Sequence, residues 1–61
     1  MKNNFKEKRK KLNLTQKEIA DKLQIDEATY RRYELGRSEP RARRCIAIAK
    51  VLKTTVEELF P

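Results

Sequence analysis

Residues 14–36 read LTQKEIADKLQIDEATYRRYELG, and the fold is decided in this stretch because it holds two helix starts. Thr15-Gln16-Lys17-Glu18 has the form of a capping box: the Thr15 hydroxyl accepts from the Glu18 N–H, and the Glu18 carboxylate reaches back to the Thr15 N–H. Leu14 and Ile19 flank this cap at the spacing of a hydrophobic staple. The helix so started is predicted over about 15–23, burying Ile19, Ala20 and Leu23. Asp26 is the next candidate cap, with Ile25 and Tyr30 at the staple positions around it. The following helix is predicted over about 27–34, stopping at Leu35-Gly36. Only about three residues, Gln24 to Asp26, lie between the two helices, and so short a turn forces them to cross steeply.

Outward from this pair, Phe5 and Leu12 stand seven apart with polar residues between them, which predicts a first helix over about 4–12. Asn3 or Asn4 would cap it, and Asn13 would end it, since Asn tolerates the left-handed conformation just past a helix. Pro40 marks the start of a fourth helix over about 41–52, whose apolar residues are Ala42, Cys45, Ile46, Ile48, Ala49 and Leu52. A second capping box, Thr55 to Glu58, starts a short fifth helix holding Val56, Leu59 and Phe60. Gly36 is the only glycine, Pro40 and Pro61 are the only prolines, and no linker or repeat interrupts the pattern. The predicted fold is all-α: one compact five-helix bundle over 1–61, with connections of about two to six residues.

Composition removes most functions. Sixty-one residues allow one domain, and apolar residues at 38 % require a small core. With no histidine and the single Cys45, neither an intrachain disulfide nor an ordinary zinc or redox site can be built, so no metal and no cofactor are expected. No carboxylate pair or nucleophile stands in a recognisable catalytic arrangement, so an enzyme is not expected. A free cysteine reads as a small core hydrophobe or a redox switch, and its solitude points to a reducing, cytoplasmic compartment. No apolar run reaches the length of a membrane span or of a signal peptide core, and no small-molecule pocket is evident.

The net charge of +7 draws the chain to polyanions: nucleic acid, anionic membrane or an acidic protein. The charge is unevenly placed. Residues 1–11 carry six basic groups against one acidic, and 31–44 carry six arginines against two acids. Residues 12–30 hold Lys17 and Lys22 against Glu18, Asp21, Asp26 and Glu27, a net of −2. Two short, steeply crossed helices on such a chain describe a helix-turn-helix. A recognition helix reads with its first turns, which exposes Glu27, Ala28 and then Arg31 or Arg32 to base edges. Glu27 also has a purely structural reading, as a carboxylate near the positive end of its helix and four residues before Arg31. The arginines opening the fourth helix, Arg41, Arg43 and Arg44, oppose its dipole, which suggests that another need, such as a phosphate, keeps them there.

The string from Leu14 to Gly36 resembles the helix-turn-helix family of phage Cro and lambda-type repressors, also called the Xre family. The matching positions are Thr15-Gln16, Glu18, Ile19-Ala20, Leu23, Ile25, Thr29, Tyr33-Glu34, Gly36 and Pro40, then Ile48-Ala49, Leu52, Val56 and Glu58-Leu59-Phe60. The resemblance implies five helices, the third in the major groove of double-stranded DNA, and a homodimer on a palindromic operator, at least when DNA is bound. It implies a sequence-specific transcriptional regulator, in particular a repressor. By position match, Glu27, Ala28 and Arg32 fall where the family reads bases. Arg32 has the fork for guanine O6 and N7, Glu27 accepts from cytosine N4, and Ala28 suits a thymine methyl; a phosphate contact is the other reading of Arg32. Gln16 corresponds to a position near the DNA backbone, with Thr29, Arg31, Arg37, Arg41, Arg43 and Arg44 as further phosphate partners. Arg9 and Glu34 match an ion pair that ties the recognition helix to the first helix.

Some features depart from the family. It often places glycine in the turn after its second helix and after its fourth, where this chain has Gln24 and Lys53. Either these residues are left-handed, at about 1 kcal/mol each, or the turn differs and tilts the third helix. Tyr30 replaces a usual aliphatic core residue, so its hydroxyl needs a partner or an exit to solvent. Two other functions fit a basic helical chain: a protein-interaction or antitoxin-like module covering an acidic partner, and a basic amphipathic membrane binder. Arg31 and Arg32 on the third helix favour DNA over the first. Cap signals spread over five short helices disfavour the second.

Overall fold

A computed structural model describes residues 3–61. Five helices follow in order: α1 Phe5–Lys11, α2 Gln16–Leu23, α3 Glu27–Glu34, α4 Ala42–Val51 and α5 Val56–Leu59. No strand occurs among the described residues, and none of their helices is long and apolar enough to cross a membrane. Each helix lies within a residue or so of the bounds read from its caps, the expected scatter of helix ends.

Local chemistry explains most of these bounds. Thr15 forms a full capping box: Glu18 N donates to Thr15 Oγ1 at 3.0 Å, and Thr15 N donates to Glu18 Oε1 at 2.8 Å. The box at α5 is half formed. Glu58 N donates to Thr55 Oγ1 at 3.2 Å, but the Glu58 carboxylate takes the Thr54 and Thr55 hydroxyls rather than reaching back to the Thr55 backbone. Asp26 occupies the N-cap position of α3 with extended backbone, yet its side chain makes no capping bond, so its role is charge near the helix start and not a hydrogen bond. At α1 the N-cap is Asn4, but Asn3 does the bonding: its Oδ1 accepts from Phe5 N at 3.0 Å, and its Nδ2 donates to Tyr33 O at 2.7 Å.

The core is Phe5, Ile19, Ala20, Tyr30, Tyr33, Ile48, Ala49, Leu52 and Leu59. Leu14, Leu23, Ile25, Val56 and Phe60 pack against it half-buried, so Leu23 is a margin residue rather than a fully buried one. Of the apolar residues of α4, Ile48, Ala49 and the following Leu52 face inward, while Ile46 remains 51 % exposed. Cys45 is half-buried, its Sγ donating to Pro40 O at 3.2 Å, so it lies at the edge of the core; burial and Glu39 push its thiol up, away from the reactive thiolate. Phe5 stacks on Tyr30 with centroids 6.4 Å apart and meets Phe60 edge-on at 5.4 Å. The Tyr30 hydroxyl finds neither exit nor bond: the residue is fully buried, and its oxygen has no hydrogen-bond partner among the described residues.

Three helix ends use left-handed residues other than glycine: Asn13 (φ 56°), Gln24 (φ 58°) and Lys53 (φ 55°). The chain therefore accepts the left-handed strain at Gln24 and Lys53 instead of using another turn. At each site the N–H of the next residue closes onto the preceding helix, Ile25 N to Ala20 O at 3.0 Å and Thr54 N to Ala49 O at 2.9 Å. Gln24→Gly and Lys53→Gly should each leave the fold unchanged or stabilise it by up to about 0.6 kcal/mol, the left-handed penalty of about 1 kcal/mol less about 0.4–1 kcal/mol for the added freedom of the unfolded chain. Thermal melting of the two single variants checks this; a lower Tm for both would mean that these side chains contribute more than their backbones cost.

Candidate nucleic-acid interface

The first turns of α3 lie on the surface. Glu27, Ala28, Arg31 and Arg32 are exposed, while Tyr30 and Tyr33 on the opposite side of the helix anchor it in the core. The candidate base-reading residues Glu27, Ala28 and Arg32 thus share one short, solvent-facing element. Among the described residues no hydrogen bond or ion pair engages the Arg32 side chain, so its guanidinium fork is open.

The inner end of α3 is held by charge. Arg9 of α1 donates from Nε to Glu34 Oε2 at 2.6 Å and from Nη2 to Glu34 Oε1 at 3.2 Å, and its Nη1 donates to Leu14 O at 2.9 Å. The two side chains are only 12 % and 4 % exposed. Burial pushes the Glu34 carboxyl up, but the bonds from Arg9 and Gln16 outweigh burial and hold it below the ordinary carboxylate value. The same pairing with Glu34 raises the Arg9 guanidinium further. Burial, reinforced by the Glu34 charge, pushes the Tyr30 phenol up, so Tyr30 stays neutral beside the pair.

Two of the residues grouped as phosphate partners join this network instead of standing clear of the surface. Gln16 Nε2 donates to Glu34 Oε1 at 3.1 Å, and Arg31 Nε donates to Gln16 Oε1 at 3.4 Å. Arg31 Nη2 also donates to Glu27 Oε2 at 3.3 Å. What α2 still offers an anion are the first-turn N–H groups of Gln16 and Lys17, which have no acceptor one turn back.

The remaining candidates gather in a second place. An open cleft of about 460 Å³ lies between α3 and the start of α4. Thr29 and Tyr33 line it from α3, Ser38 and Glu39 from the connecting loop, and Arg41, Arg43 and Arg44 from the α4 end. α4 has no side-chain cap and no acid in its first turn, so its N–H groups and three guanidinium groups make this end strongly positive. Arg44 is partly committed, its Nη1 donating to Tyr33 Oη at 3.1 Å. Arg41 and Arg43 are exposed with no such partner among the described residues. Arg37 is exposed just past the end of α3, beyond Gly36 (φ 73°), and is not among the cleft-lining residues. Ser38 and Glu39 were not legible as site residues. The only signal was an acid lodged between two basic runs, and Glu39 places that negative charge in the cleft wall.

A family described as helix-turn-helix matches residues 5–59, which takes in all five helices. The chain is 41 % identical over 57 residues to the uncharacterized HTH-type transcriptional regulator YqaE of Bacillus subtilis (strain 168), covering 93 % of this chain and 49 % of that protein. It is 35 % identical over 51 residues to the cryptic phage CTXphi transcriptional repressor RstR of Vibrio cholerae serotype O1, covering 84 % of this chain and 46 % of that protein. The chain spans about half the length of these curated relatives. An α2–α3 pair closed by a left-handed turn, an exposed first face on α3 and a match running through all five helices converge on one assignment: the chain belongs to the Xre/lambda-repressor-like helix-turn-helix family.

Proposed function

We propose that this chain is the DNA-reading part of a sequence-specific transcription regulator, a repressor that binds a palindromic double-stranded operator as a homodimer. The observation that carries this reading is a pairing of two surfaces. The exposed start of α3 presents Glu27, Ala28 and an unpartnered Arg32 side chain. Beside it lies the arginine-lined cleft with Thr29, Arg41, Arg43 and Arg44. The first suits base edges and the second suits the phosphate backbone that flanks a groove. Arg37 and the first-turn N–H groups at Gln16 extend the backbone contacts to either side. The RstR relative is named a repressor, which supports that direction of regulation. For the dimer, the supporting surface is an apolar groove of about 320 Å³ formed by Pro40, Cys45, Val56 and Phe60 with Glu39 at its rim.

Selection of bound duplexes from a random pool tests the reading directly. An inverted repeat with half-sites about 34 Å apart is the expected product. On that duplex, log affinity against log salt should fall with a slope of about −3 to −4 per protomer, near −0.9 for each of Arg37, Arg41, Arg43 and Arg44 that neutralises a phosphate. A flat salt plot would sink the phosphate assignments. Failure to shift any duplex, with copurification of an acidic protein, would replace the whole reading by an interaction module.

A further inference from the structure

Arg31 is tied differently from every other arginine near the reading face. Its guanidinium bridges two helices, bonding Gln16 Oε1 at the start of α2 through Nε and Glu27 Oε2 at the start of α3 through Nη2. Gln16 is in turn oriented from within. Its amide N–H points to Glu34 Oε1, so its carbonyl oxygen is left facing Arg31. Glu34 is itself fixed by the near-buried pair with Arg9. One chain of bonds therefore runs from the scaffold to the surface: Arg9, Glu34, Gln16, Arg31, Glu27.

An exposed Glu–Arg pair one helical turn apart is by itself weakly held. The second anchor on Gln16 makes this one directional, because the guanidinium is planar and its donors are fixed relative to one another. The consequence falls on Glu27. One carboxylate oxygen is taken by Arg31, while Oε1 has no partner among the described residues and is the oxygen left for a base. The Arg31 charge is meanwhile matched by that of Glu27, which reduces both the attraction of Arg31 for a phosphate and the repulsion of Glu27 from one.

We infer that Arg31 is a positioning residue for specificity: bridging Gln16 and Glu27, it holds the free oxygen of Glu27 toward a cytosine amino group and neutralises the carboxylate, rather than gripping a phosphate. The inference rests on the DNA-reading proposal above. It is tested on the whole chain with Arg31→Ala, Arg31→Lys, Glu27→Ala and the Glu27→Ala/Arg31→Ala double variant. Each goes through random-pool selection and a salt titration, with thermal melting to verify folding. The unchanged protein should select a C·G pair at one position of each half-site. Arg31→Ala and Glu27→Ala should each weaken that preference by about fivefold or more, the lower end of what one base contact discriminates. The double variant should weaken it no further. Arg31→Lys keeps the charge but loses the fork, and should lose the preference too. The salt slope should stay unchanged in the Arg31 variants.

Retention of the preference in Arg31→Ala or Arg31→Lys overturns the inference. So does a slope shallower by about 0.9 in Arg31→Ala with base preferences intact, which is the signature of a phosphate contact. A Glu27→Ala variant that selects as the unchanged protein does also overturns it. If the unchanged protein selects no duplex at all, the DNA-reading proposal fails and the role of Arg31 with it. A selected site with unaltered variants removes only the role of Arg31.

Discussion

Arg9→Ala should destabilise the protein by about 3 kcal/mol or more, since truncating one partner of a largely buried ion pair strands the other charge. The stranded group is Glu34, with its side chain 4 % exposed. Gln16 would remain as its donor, and the Leu14 carbonyl would lose the Arg9 bond as well. For a domain of this size a loss of 3 kcal/mol lowers Tm by at least ~12 °C. Replacing both partners by apolar residues of similar volume, as in Arg9→Met/Glu34→Leu, should recover most of the loss, because the pair orients more than it stabilises. If Arg9→Ala melts within a few degrees of the unchanged protein, the pair is solvated in solution and does not tie α3 down.

The same pair sets an acid limit. The folded Glu34 carboxyl lies below its ordinary value of 4.5 because its bonds from Arg9 and Gln16 outweigh burial. A depressed folded value means that the contribution is complete above the unfolded value and is lost as pH falls through the folded one. Stability should therefore hold from neutral pH down to about 5 and fall progressively below about 4.5. In the Arg9→Met/Glu34→Leu variant the part of this fall that belongs to Glu34 should vanish. Urea titrations at stepped pH measure both, and an equally steep acid decline in the variant would assign the limit to other carboxylates.

Arg32→Ala should leave the fold intact and change what the protein reads. The side chain is exposed and unpartnered, so its loss should alter stability by no more than about 0.5 kcal/mol. On a selected duplex the cost should be about 1–3 kcal/mol, concentrated on one G·C pair, the value of a forked arginine contact to guanine O6 and N7. Binding to a duplex already substituted at that pair should be nearly unaffected. Equal weakening on every duplex, with a salt slope shallower by about one, would instead make Arg32 a phosphate contact. Arg31 and Arg32 thus have opposite expectations although they are neighbours. The Arg31 side chain is bonded to Glu27 and Gln16, and the Arg32 side chain has no partner among the described residues.

Much of the fold was legible because its determinants are local. The capping box of Thr15 and Glu18 places the start of α2, since the atoms that satisfy its first N–H groups lie within three residues. Asn13 and Gly36 follow the ends of their helices, and both adopt the positive φ that their residue types favour. Where a neighbour competed, local rules failed. Glu58 was drawn to the Thr54 hydroxyl and toward Lys8 of α1, which left the second capping box half made. Asn3, not Asn4, bonds the start of α1, because its amide also reaches the Tyr33 carbonyl thirty residues away.

The candidate site divides in the same way. Residue type and helical position place Glu27, Ala28 and Arg32 on one exposed face, because a 3.6-residue repeat with Tyr30 and Tyr33 inward leaves no other arrangement. What the amino-acid sequence determined by itself was therefore the number, order and bounds of the helices, the inward and outward faces of α3, and the concentration of positive charge at 1–11 and 31–44. Only the tertiary structure decided how those charges are used. It turned Gln16 inward to Glu34, set Arg31 across two helices, bonded Arg44 to Tyr33, and gathered Thr29, Ser38, Glu39, Arg41 and Arg43 around one cleft. The physical reason is range: caps and helix periodicity act within a turn or two of chain, whereas the partner of a long polar side chain is whatever group the packing of other helices brings within about 3 Å.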